Sequence, residues 1–383
     1  MKSTFWSALS LSVLVASETI IERDVAIVGG GAAGTFAAHR LQQMGLSVAL
    51  IEKSYRVGGH VSTWVQPSTG IVLDYGVQIF TNLSVVHDYF SHFNISLVTQ
   101  QGQGDILSLP ALYVLRQLPL TAIQGLSSGF LTAPIGVQTL YDRALLELGE
   151  DSTFLNATIT HIDRSNPSDI SICLTTLSSS SPIRIRAKTL LLTLPPTLPN
   201  LSPFLDLTPL ETSLFSYFTS SAYYNALLTN TGLPPNKTYR NLNPLLPYSL
   251  PSLPAIYETG STAAPGITGL LYGAPSSHPL TDEEVKADIL ATLARLRRAA
   301  GGDEGYVGEP EFVGFNNHAP NALAVSADVI RDGFYTELKG LQGRLNTFWS
   351  GATWASDNSG AIWEFTEDVI LPRVVKAVRG GGK

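Results

Sequence analysis

The sequence predicts an α/β fold, and three observations near its N-terminus lead to this prediction. An apolar run, Val25 to Val28, is short enough to be a buried parallel strand. A glycine-rich turn follows, and then a helical pattern from Thr35 to Met44 that aligns Ala37, Ala38, Leu41 and Met44 on one face. A second apolar run, Ser47 to Ile51, returns as a second strand. Strand, helix and strand in this order form a βαβ unit with a parallel pairing.

The turn after the first strand satisfies the pattern G-x-G-x-x-G. Gly29 permits the tight turn, Gly31 lets the backbone approach a pyrophosphate, and Gly34 lets the helix pack on the strand. Gly45 ends the helix. Glu52 stands at the end of the second strand, where a carboxylate can accept hydrogen bonds from an adenosine ribose. This order predicts a Rossmann-like dinucleotide-binding domain. An ordinary glycine-rich turn in an α/β domain is the alternative.

A second pair of glycines follows the acid in the stretch from Arg56 to His60, which reads Arg-Val-Gly-Gly-His. A nicotinamide enzyme has no general need of a second close backbone approach there. FAD has that need, because its second phosphate and ribityl chain must also be held. The sequence therefore favours FAD, with an NAD(P)-dependent dehydrogenase as the alternative. The stretch resembles the R-x-G-G-[RH] motif of the FAD-dependent amine oxidoreductase superfamily, and the chain is similar to its fungal β-cyclopiazonate dehydrogenase-like group.

The resemblance implies a glutathione-reductase-type FAD-binding domain with an interleaved α+β substrate domain. The FAD-binding domain is expected to be discontinuous, at residues 23–85, 150–198 and 338–379. The substrate domain is expected at residues 86–149 and 199–337. Members of the family have a longer segment where this chain has residues 96–103, so the substrate domain is expected to be shortened there.

Two further stretches match family positions beside the cofactor. The equivalent of Asp74 to Gln78 passes beside the flavin ring, where Gly76 allows a close approach and Gln78 offers an amide to the ring edge. Residues Asn156 to Asp163 alternate polar and apolar as a half-buried strand does. Flavoproteins of this type use such a strand to present backbone groups to the adenine, and Ile159 is the expected contact. A strand with no cofactor role is the alternative at both places.

Near the C-terminus, Leu345 to Ala352 predicts a strand that reaches a glycine turn, and a helix begins at Ser359. This resembles the family's flavin motif, whose helix N-terminus stabilises the anion formed on reduction. Many members have an acid where Ala352 follows Gly351 here. The cofactor-binding residues expected are Gly29, Gly31, Ala32, Ala33, Gly34, Glu52, Lys53, Arg56, Gly58, Gly59, His60, Gly76, Val77, Gln78, Ile159, Gly351, Ser359, Gly360, Ala361 and Ile362.

The resemblance implies a hydride transfer from a small organic substrate, amine or alkaloid-like, to flavin N5, with O₂ as a possible acceptor. The candidates for a catalytic role are His60, His318 and Gln78, and a structural role is the alternative for each histidine. His318 lies in the stretch Asn316 to Pro320, which resembles a family H-x-P turn. No motif indicates a metal site or a hydrolase elbow. A non-catalytic or impaired FAD-binding protein is the alternative function.

Composition limits the partners and the location of the protein. The 24 Lys and Arg against 31 Asp and Glu, a net charge of −7, and the lack of a basic run exclude nucleic acid as a partner. Lys2, the apolar run Phe5 to Ala16 and the small residues before Glu18 predict a secretory signal peptide at 1–17. An N-terminal helix that lies on the domain is the alternative, because serines interrupt the apolar run. The run is too short to be a membrane anchor. Secretion and glycosylation are also suggested by five N-x-[ST] sequons, at Asn82, Asn94, Asn156, Asn200 and Asn236.

Two predictions concern the scaffold. Ile183 to Lys188 and Thr189 to Leu194 are expected as two separate strands, the second of them ending at Pro195 and Pro196. Thr281 to Glu284 reads as a capping box, which predicts a helix through Arg298 that is closed by Gly301.

Overall fold

The computed structural model describes residues 18–100, 113, 120–177, 179–275, 280–301 and 308–380. Its strands are β1 (Thr19–Val28), β2 (Val48–Ile51), β3 (Thr63–Val65), β4 (Val72–Asp74), β5 (Val98–Gln100), β6 (Phe130–Thr132), β7 (Thr153–Phe154), β8 (Ala157–Asp163), β9 (Ile170–Thr176), β10 (Ser179–Leu192), β11 (Thr219–Thr229), β12 (Thr238–Arg240), β13 (Ala255–Ser261), β14 (Thr268–Pro275), β15 (Glu311–Asn317), β16 (Asn321–Ala324) and β17 (Thr347–Trp349). The predicted signal peptide at 1–17 lies outside the described residues, as do residues 101–103 of the segment expected to be shortened.

The helices are α1 (Ala32–Gln43), α2 (Ser84–His92), α3 (Leu120–Ser128), α4 (Gln138–Leu148), α5 (Leu198–Leu201), α6 (Pro209–Ser216), α7 (Asp282–Ala299), α8 (Ala327–Arg331), α9 (Phe334–Lys339), α10 (Ser359–Phe365) and α11 (Leu371–Gly380). A π-helical stretch, Thr366–Ile370, joins α10 to α11. Within the described part of the chain, no helix has both the length and the apolar character needed to cross a bilayer.

A seven-stranded sheet contains the N-terminal βαβ unit. Its strands run in the order β7-β2-β1-β10-β9-β8, and β17 pairs with β10. β1 pairs in parallel with both β2 and β10, whereas β8, β9 and β10 form antiparallel pairs. Val25, Ala26 and Ile27 are fully buried, because both faces of the sheet are covered. The predicted α/β fold and βαβ unit are confirmed.

The long strand β10 corrects one prediction. The sequence suggests separate strands at Ile183–Lys188 and Thr189–Leu194, but β10 continues unbroken through both ranges to Leu192. β10 pairs with β1 from Ile183, opposite Thr19, to Leu192, opposite Val28. Because β1 is one continuous strand, its ladder of hydrogen bonds keeps β10 continuous as well.

A layer of helices covers one face of the large sheet. α1 packs there with α2, α4, α10 and α11, and Phe36 of α1 stacks on Trp363 with ring centroids 5.8 Å apart. The sequence prediction places residues 86–149 in the substrate domain. In the structure, two helices from this range, α2 and α4, pack in the same layer as α1. The fully buried side chains of the layer include Phe36, Leu41, Tyr89, Tyr141 and Trp363.

A buried ion pair network stabilises the layer on the other face. The Arg164 guanidinium is inaccessible to solvent and donates to the Asp206 carboxylate at 2.6 Å and to the Glu211 carboxylate at 2.8 Å. Glu211 also belongs to the capping box of α6, where the Thr208 N–H donates to it at 2.8 Å. The three charged side chains therefore connect the end of β8 to the start of α6.

A second sheet forms a separate core with α7. Its order is β12-β13-β14-β11-β15, and β16 pairs with β11. The apolar face of α7, with Val285, Ile289 and Leu293 fully buried, belongs to the same core as the buried side chains of β11 and β14. The capping box is confirmed, since the Thr281 hydroxyl accepts from the Glu284 N–H and the Glu284 carboxylate accepts from the Thr281 N–H.

Candidate functional site

The turn between β1 and α1 is closed by contacts that only glycine allows. Gly29 has a φ of +102°, and a Cβ atom on Gly34 would lie 1.8 Å from the Gly29 carbonyl oxygen. α1 therefore starts directly against the end of β1. No side chain caps α1, and its first turn has no acidic residue. The partial positive charge of this helix end is therefore available to an anion.

Glu52 is held in one orientation at the end of β2. Its two carboxylate oxygens accept hydrogen bonds from the N–H of Gly30 at 2.6 Å and of Ser54 at 2.8 Å. Each oxygen keeps a lone pair that can accept a hydroxyl hydrogen. The Ala157 N–H, at the start of β8, donates to the Glu52 carbonyl at 3.0 Å, and the half-buried Ile159 lies two residues further along. The structure thus brings the predicted ribose and adenine contacts to one place.

The second glycine pair lies against the first turn. The Gly58 N–H donates to the Gly30 carbonyl at 2.7 Å, and Gly58 and Gly59 have φ values of +111° and +56°. A Cβ atom on Gly59 would lie 3.0 Å from the Gly31 Cα, so the two backbones meet where neither has a side chain. A Cβ atom on Gly31 would meet only the Gly59 Cα, at 3.9 Å. The space beside Gly31 is therefore open.

The segment from Asp74 to Gln78 runs beside His60. The Val77 N–H donates to the His60 carbonyl at 3.3 Å, and a Cβ atom on Gly76 would lie 1.9 Å from that same oxygen. Position 76 therefore requires glycine because any side chain there would collide with the His60 backbone. Gln78 is exposed, and its carbonyl accepts from the Thr132 hydroxyl at 3.0 Å.

His60 and His318 are far apart in sequence but pack ring against ring. Their ring centroids are 4.4 Å apart, and the Tyr223 ring stacks on His318 at 5.3 Å. His318 is 4% exposed, and within the described ranges neither of its ring nitrogens has a hydrogen-bond partner. The sequence names both histidines as candidates, and the structure brings them together on the Asp74–Gln78 side of the site.

Both imidazoles are neutral at neutral pH. Burial, followed by the neighbouring His60, lowers the pKa of His318 to about 3. The His60 side chain is exposed to solvent, but protein atoms around it displace part of its hydration. This loss of hydration lowers the pKa of His60. The Asp357 carboxylate acts in the opposite direction on the pKa of His60. Neutral rings can accept a hydrogen bond through one nitrogen and donate through the other.

A chain of hydrogen bonds connects the second glycine pair to the second sheet. An Arg56 Nη2–H donates to the Ser62 hydroxyl at 3.1 Å, and Ser62 donates to the Asn316 Oδ1 at 2.9 Å. The Asn316 amide donates in turn to the buried Asn225 at 3.0 Å. Sequence reasoning missed Ser62, Asn225 and Asn316, because single polar residues on a strand or beside one form no motif. Lys53, also predicted at the site, is exposed.

The C-terminal motif reaches the turn Gly29–Gly34, the predicted phosphate turn, through Thr193. The Thr193 hydroxyl donates to the Gly29 carbonyl at 2.9 Å, directly after the end of β10. A Cβ atom on Gly351, whose φ is +109°, would lie 3.2 Å from the Thr193 carbonyl oxygen. Strands β1, β10 and β17 therefore end together at this turn. Thr193 is a further residue that sequence reasoning missed, and the Thr-Leu-Pro-Pro sequence after an apolar strand was the available signal.

Asn358 begins helix α10. Its side-chain oxygen accepts from the Ala361 N–H and from the Thr81 hydroxyl, both at 3.2 Å. A Cβ atom on Gly360 would lie 2.9 Å from a methyl group of Val86, so glycine is needed where α10 packs on α2. The Trp363 indole N–H of the same helix donates to the Ala32 carbonyl at 3.0 Å. The helix that carries the predicted flavin-motif residues Ser359, Gly360, Ala361 and Ile362 therefore packs against α2 and, through Trp363, against the start of α1.

These residues fit FAD. Two glycine turns offer backbone N–H groups around an open space, and a carboxylate with free lone pairs stands beside them. In the loop between Gly351 and α10, the Trp354 indole nitrogen and the Ser356 hydroxyl are buried without a partner among the described residues. A buried polar atom of this kind is costly unless a bound group or water pairs with it.

The chain matches one family model and is similar to relatives whose names state the cofactor or the activity. A family model described as an NAD(P)-binding Rossmann-like domain matches residues 27–93. The chain is 32% identical over 438 residues to the FAD-dependent oxidoreductase pigF of Monascus ruber, covering 93% of this chain and 92% of that protein. It is 28% identical over 433 residues to the beta-cyclopiazonate dehydrogenase of Aspergillus flavus, covering 91% and 92%.

Two solved structures are similar in fold. The CLA-producing fatty acid isomerase from P. acnes has a TM-score of 0.72 at 16% identity, covering 91% of this chain and 98% of that one. Putrescine oxidase bound to putrescine has a TM-score of 0.55 at 16% identity, covering 94% and 98%. Both alignments with the curated relatives are longer than the 383 residues of this chain, so they contain gaps opposite residues that only the relatives have.

Proposed function

We infer the activity from one premise, which is that this chain belongs to the FAD-dependent oxidoreductases related to beta-cyclopiazonate dehydrogenase. It is therefore an FAD-dependent oxidoreductase. We propose that its substrate is a small organic amine or an alkaloid-like compound, and that O₂ is the final electron acceptor. The observation that carries this proposal is the placement of a neutral histidine pair beside the segment Asp74 to Gln78, next to the two glycine turns.

The cofactor half of the site uses backbone more than side chains. When bound, FAD supplies the acceptor for a hydride from a substrate C–H bond. The glycine turns at Gly29–Gly34 and Gly58–Gly59 hold its phosphates, and Glu52 orients a ribose. The N-terminus of α10 provides partial positive charge at the other end of the site.

The substrate half contains His318 and His60. A pKa of about 3 makes His318 a poor proton acceptor at neutral pH, because a general base works best when its pKa is near the working pH. Its buried ring nitrogens have no partner among the described residues, so one of them can accept a hydrogen bond from a substrate N–H and orient it. We therefore propose that His318 positions the substrate. His60 is the more exposed of the two rings.

The segment expected to be missing from the substrate domain favours a second candidate function. The alignments require gaps in this chain, and the family resemblance places a missing segment near 96–103. A wall on the substrate side orients the reacting C–H bond, and a misplacement of about 1 Å can cost about a hundredfold in rate. The alternative is accordingly an FAD-binding protein with impaired turnover. The FAD-dependent relatives and the second glycine pair oppose an NAD(P)-dependent dehydrogenase.

Reduction of the flavin without oxygen tests the activity. The purified protein should be yellow and release FAD on denaturation, and an anaerobic panel of amines and indole alkaloids should bleach it. Readmitted O₂ should restore the colour and form peroxide. His318→Phe, which keeps a ring against Tyr223, should stay yellow but bleach several-fold more slowly, with a raised KM. A yellow wild-type protein that no member of the panel bleaches favours the impaired alternative.

We also propose that the protein is secreted and glycosylated. The proposal rests on the predicted signal peptide at 1–17 and on the sequons, of which Asn82, Asn94 and Asn236 are exposed. Material from a eukaryotic host should begin near Glu18 and migrate faster after glycosidase treatment. Retention of residues 1–17 in a cytosolic fraction contradicts the proposal.

A further inference from the structure

Three metal-ligating side chains converge on the outer side of the helical layer. His39 lies on α1, His92 ends α2, and Glu147 lies near the end of α4. The Nε2 atoms of His39 and His92 are 3.2 Å apart, and each lies 2.8 Å from an oxygen of the Glu147 carboxylate. His39 is eight residues beyond Gly31, about 12 Å along the helix axis, so the cluster is separate from the phosphate turn.

The spacing of these atoms matches a zinc site. Zinc binds imidazole nitrogen at about 2.0–2.1 Å with tetrahedral geometry, which places neighbouring ligand atoms about 3.3 Å apart. The Nε2–Nε2 distance of 3.2 Å is close to that value. The nitrogen–oxygen distances of 2.8 Å are shorter, but Glu147 is 44% exposed in its side chain and can move outward.

Without a cation, the hydrogen bonding of these three side chains is poorly satisfied. Both histidines must then donate Nε2–H hydrogen bonds to the same carboxylate, which points two donors at each other across 3.2 Å. The other nitrogen of His39, Nδ1, is buried and has no partner among the described residues. A metal ion replaces the two facing protons and uses both Nε2 lone pairs and one carboxylate oxygen.

The side chains around the cluster fix the position of the His39 ring. His39 is fully buried, and its ring packs against Tyr89 and Phe93 with centroids 5.6 and 5.0 Å away. This packing fixes the orientation of the His39 ring, so that its Nε2 stays directed at His92 and Glu147.

We propose that His39, His92 and Glu147 bind one Zn²⁺ ion, with water in the fourth position. Two imidazoles and a carboxylate suit zinc, and the partial exposure of His92 and Glu147 leaves room for the water. The ion ties α1, α2 and α4 together, and α1 is the helix that begins at the phosphate turn. The sequence shows no metal motif because the three ligands come from three separate helices.

Zinc binding to the full-length, FAD-containing protein tests the proposal. After chelator treatment and removal of the chelator, titration with ZnCl₂ should give one site per chain in calorimetry, and the melting temperature should rise until one equivalent is bound. His92→Ala and Glu147→Gln each remove a ligand and should weaken binding more than about a hundredfold, beyond the loss usual when a group that only hydrogen-bonds to a ligand is changed. His87→Ala, an exposed histidine of the same helix that bonds Asn82, is the matched control and should bind zinc normally.

Two results overturn the site. One is a wild-type protein that shows no stoichiometric zinc binding and no rise in melting temperature. The other is unchanged binding in both ligand variants, which places the zinc elsewhere. Cobalt substitution keeps the test decisive if His92→Ala is unstable. Tetrahedral Co²⁺ absorbs visible light strongly at longer wavelength than flavin, so the band should form in wild type and in His87→Ala but be absent in Glu147→Gln.

Discussion

Gly31 and Gly34 lie three residues apart in the same turn, and we expect their alanine variants to fail in different ways. A methyl group on Gly31 enters open space, with only the Gly59 Cα at 3.9 Å. A methyl group on Gly34 collides with the Gly29 carbonyl oxygen at 1.8 Å. Gly31→Ala therefore tests the cofactor cradle, and Gly34→Ala tests the packing of α1 on β1.

The expected magnitudes follow from these distances. To bring the Gly34 contact to an ordinary separation, α1 must move from the turn by about 1.2 Å, which we expect to destabilise the protein by about 3 kcal/mol or more. Gly31→Ala should change the stability of the FAD-free protein by less than about 1 kcal/mol, since alanine is only a poorer N-cap than glycine. Its methyl group occupies the space of a phosphate group, so the backbone hydrogen bonds to that phosphate are lost. FAD affinity should therefore fall by about 3 kcal/mol, a factor of more than a hundred.

Urea unfolding of the FAD-free proteins and fluorescence titration with FAD separate the two effects. Gly31→Ala should unfold near the wild-type midpoint and bind FAD weakly. Gly34→Ala should unfold at a lower urea concentration. The reasoning is refuted if Gly31→Ala binds FAD like wild type, because the phosphates then do not approach this backbone. It is also refuted if Gly34→Ala is as stable as wild type.

Three further outcomes are expected. Arg164→Met leaves the buried carboxylate of Glu211 without its cation and should cost about 3–5 kcal/mol in urea unfolding, whereas Arg186→Met, at an exposed ion pair, should leave the urea midpoint almost unchanged; equal losses contradict this. The His318 pKa of about 3 lies below the unfolded value of about 6.5, so the unfolded state binds the extra proton and stability falls as pH drops from 6.5 towards 3. His318→Phe should reduce the stability loss between about pH 7 and pH 5, and an undiminished loss excludes this origin. Thr281→Ala should destabilise the protein by about 1 kcal/mol through loss of the α7 cap, and Thr281→Ser should recover most of it; equal effects of both changes count against the cap.

Local patterns in the sequence were sufficient to predict the cofactor-binding half of the protein. The G-x-G-x-x-G turn, the acid at Glu52 and the second glycine pair lie within one continuous stretch, and both glycine turns have backbone geometry that favours glycine. The capping box at Thr281 is local in the same way, because its two hydrogen bonds join residues three positions apart. Such features can be read without knowing what packs around them.

Contacts between distant segments were decided only by the tertiary structure. The sequence splits β10 into two strands, and pairing with the continuous β1 joins them. Gly76 has its close approach at the His60 backbone, which no spacing rule specifies. The His60–His318 pair joins two loop residues that are far apart in sequence, and the cluster of His39, His92 and Glu147 joins three separate helices. The sequence by itself determined the βαβ unit and its glycine turns, since those follow from neighbouring residues, whereas packing alone decided which distant side chains share a site.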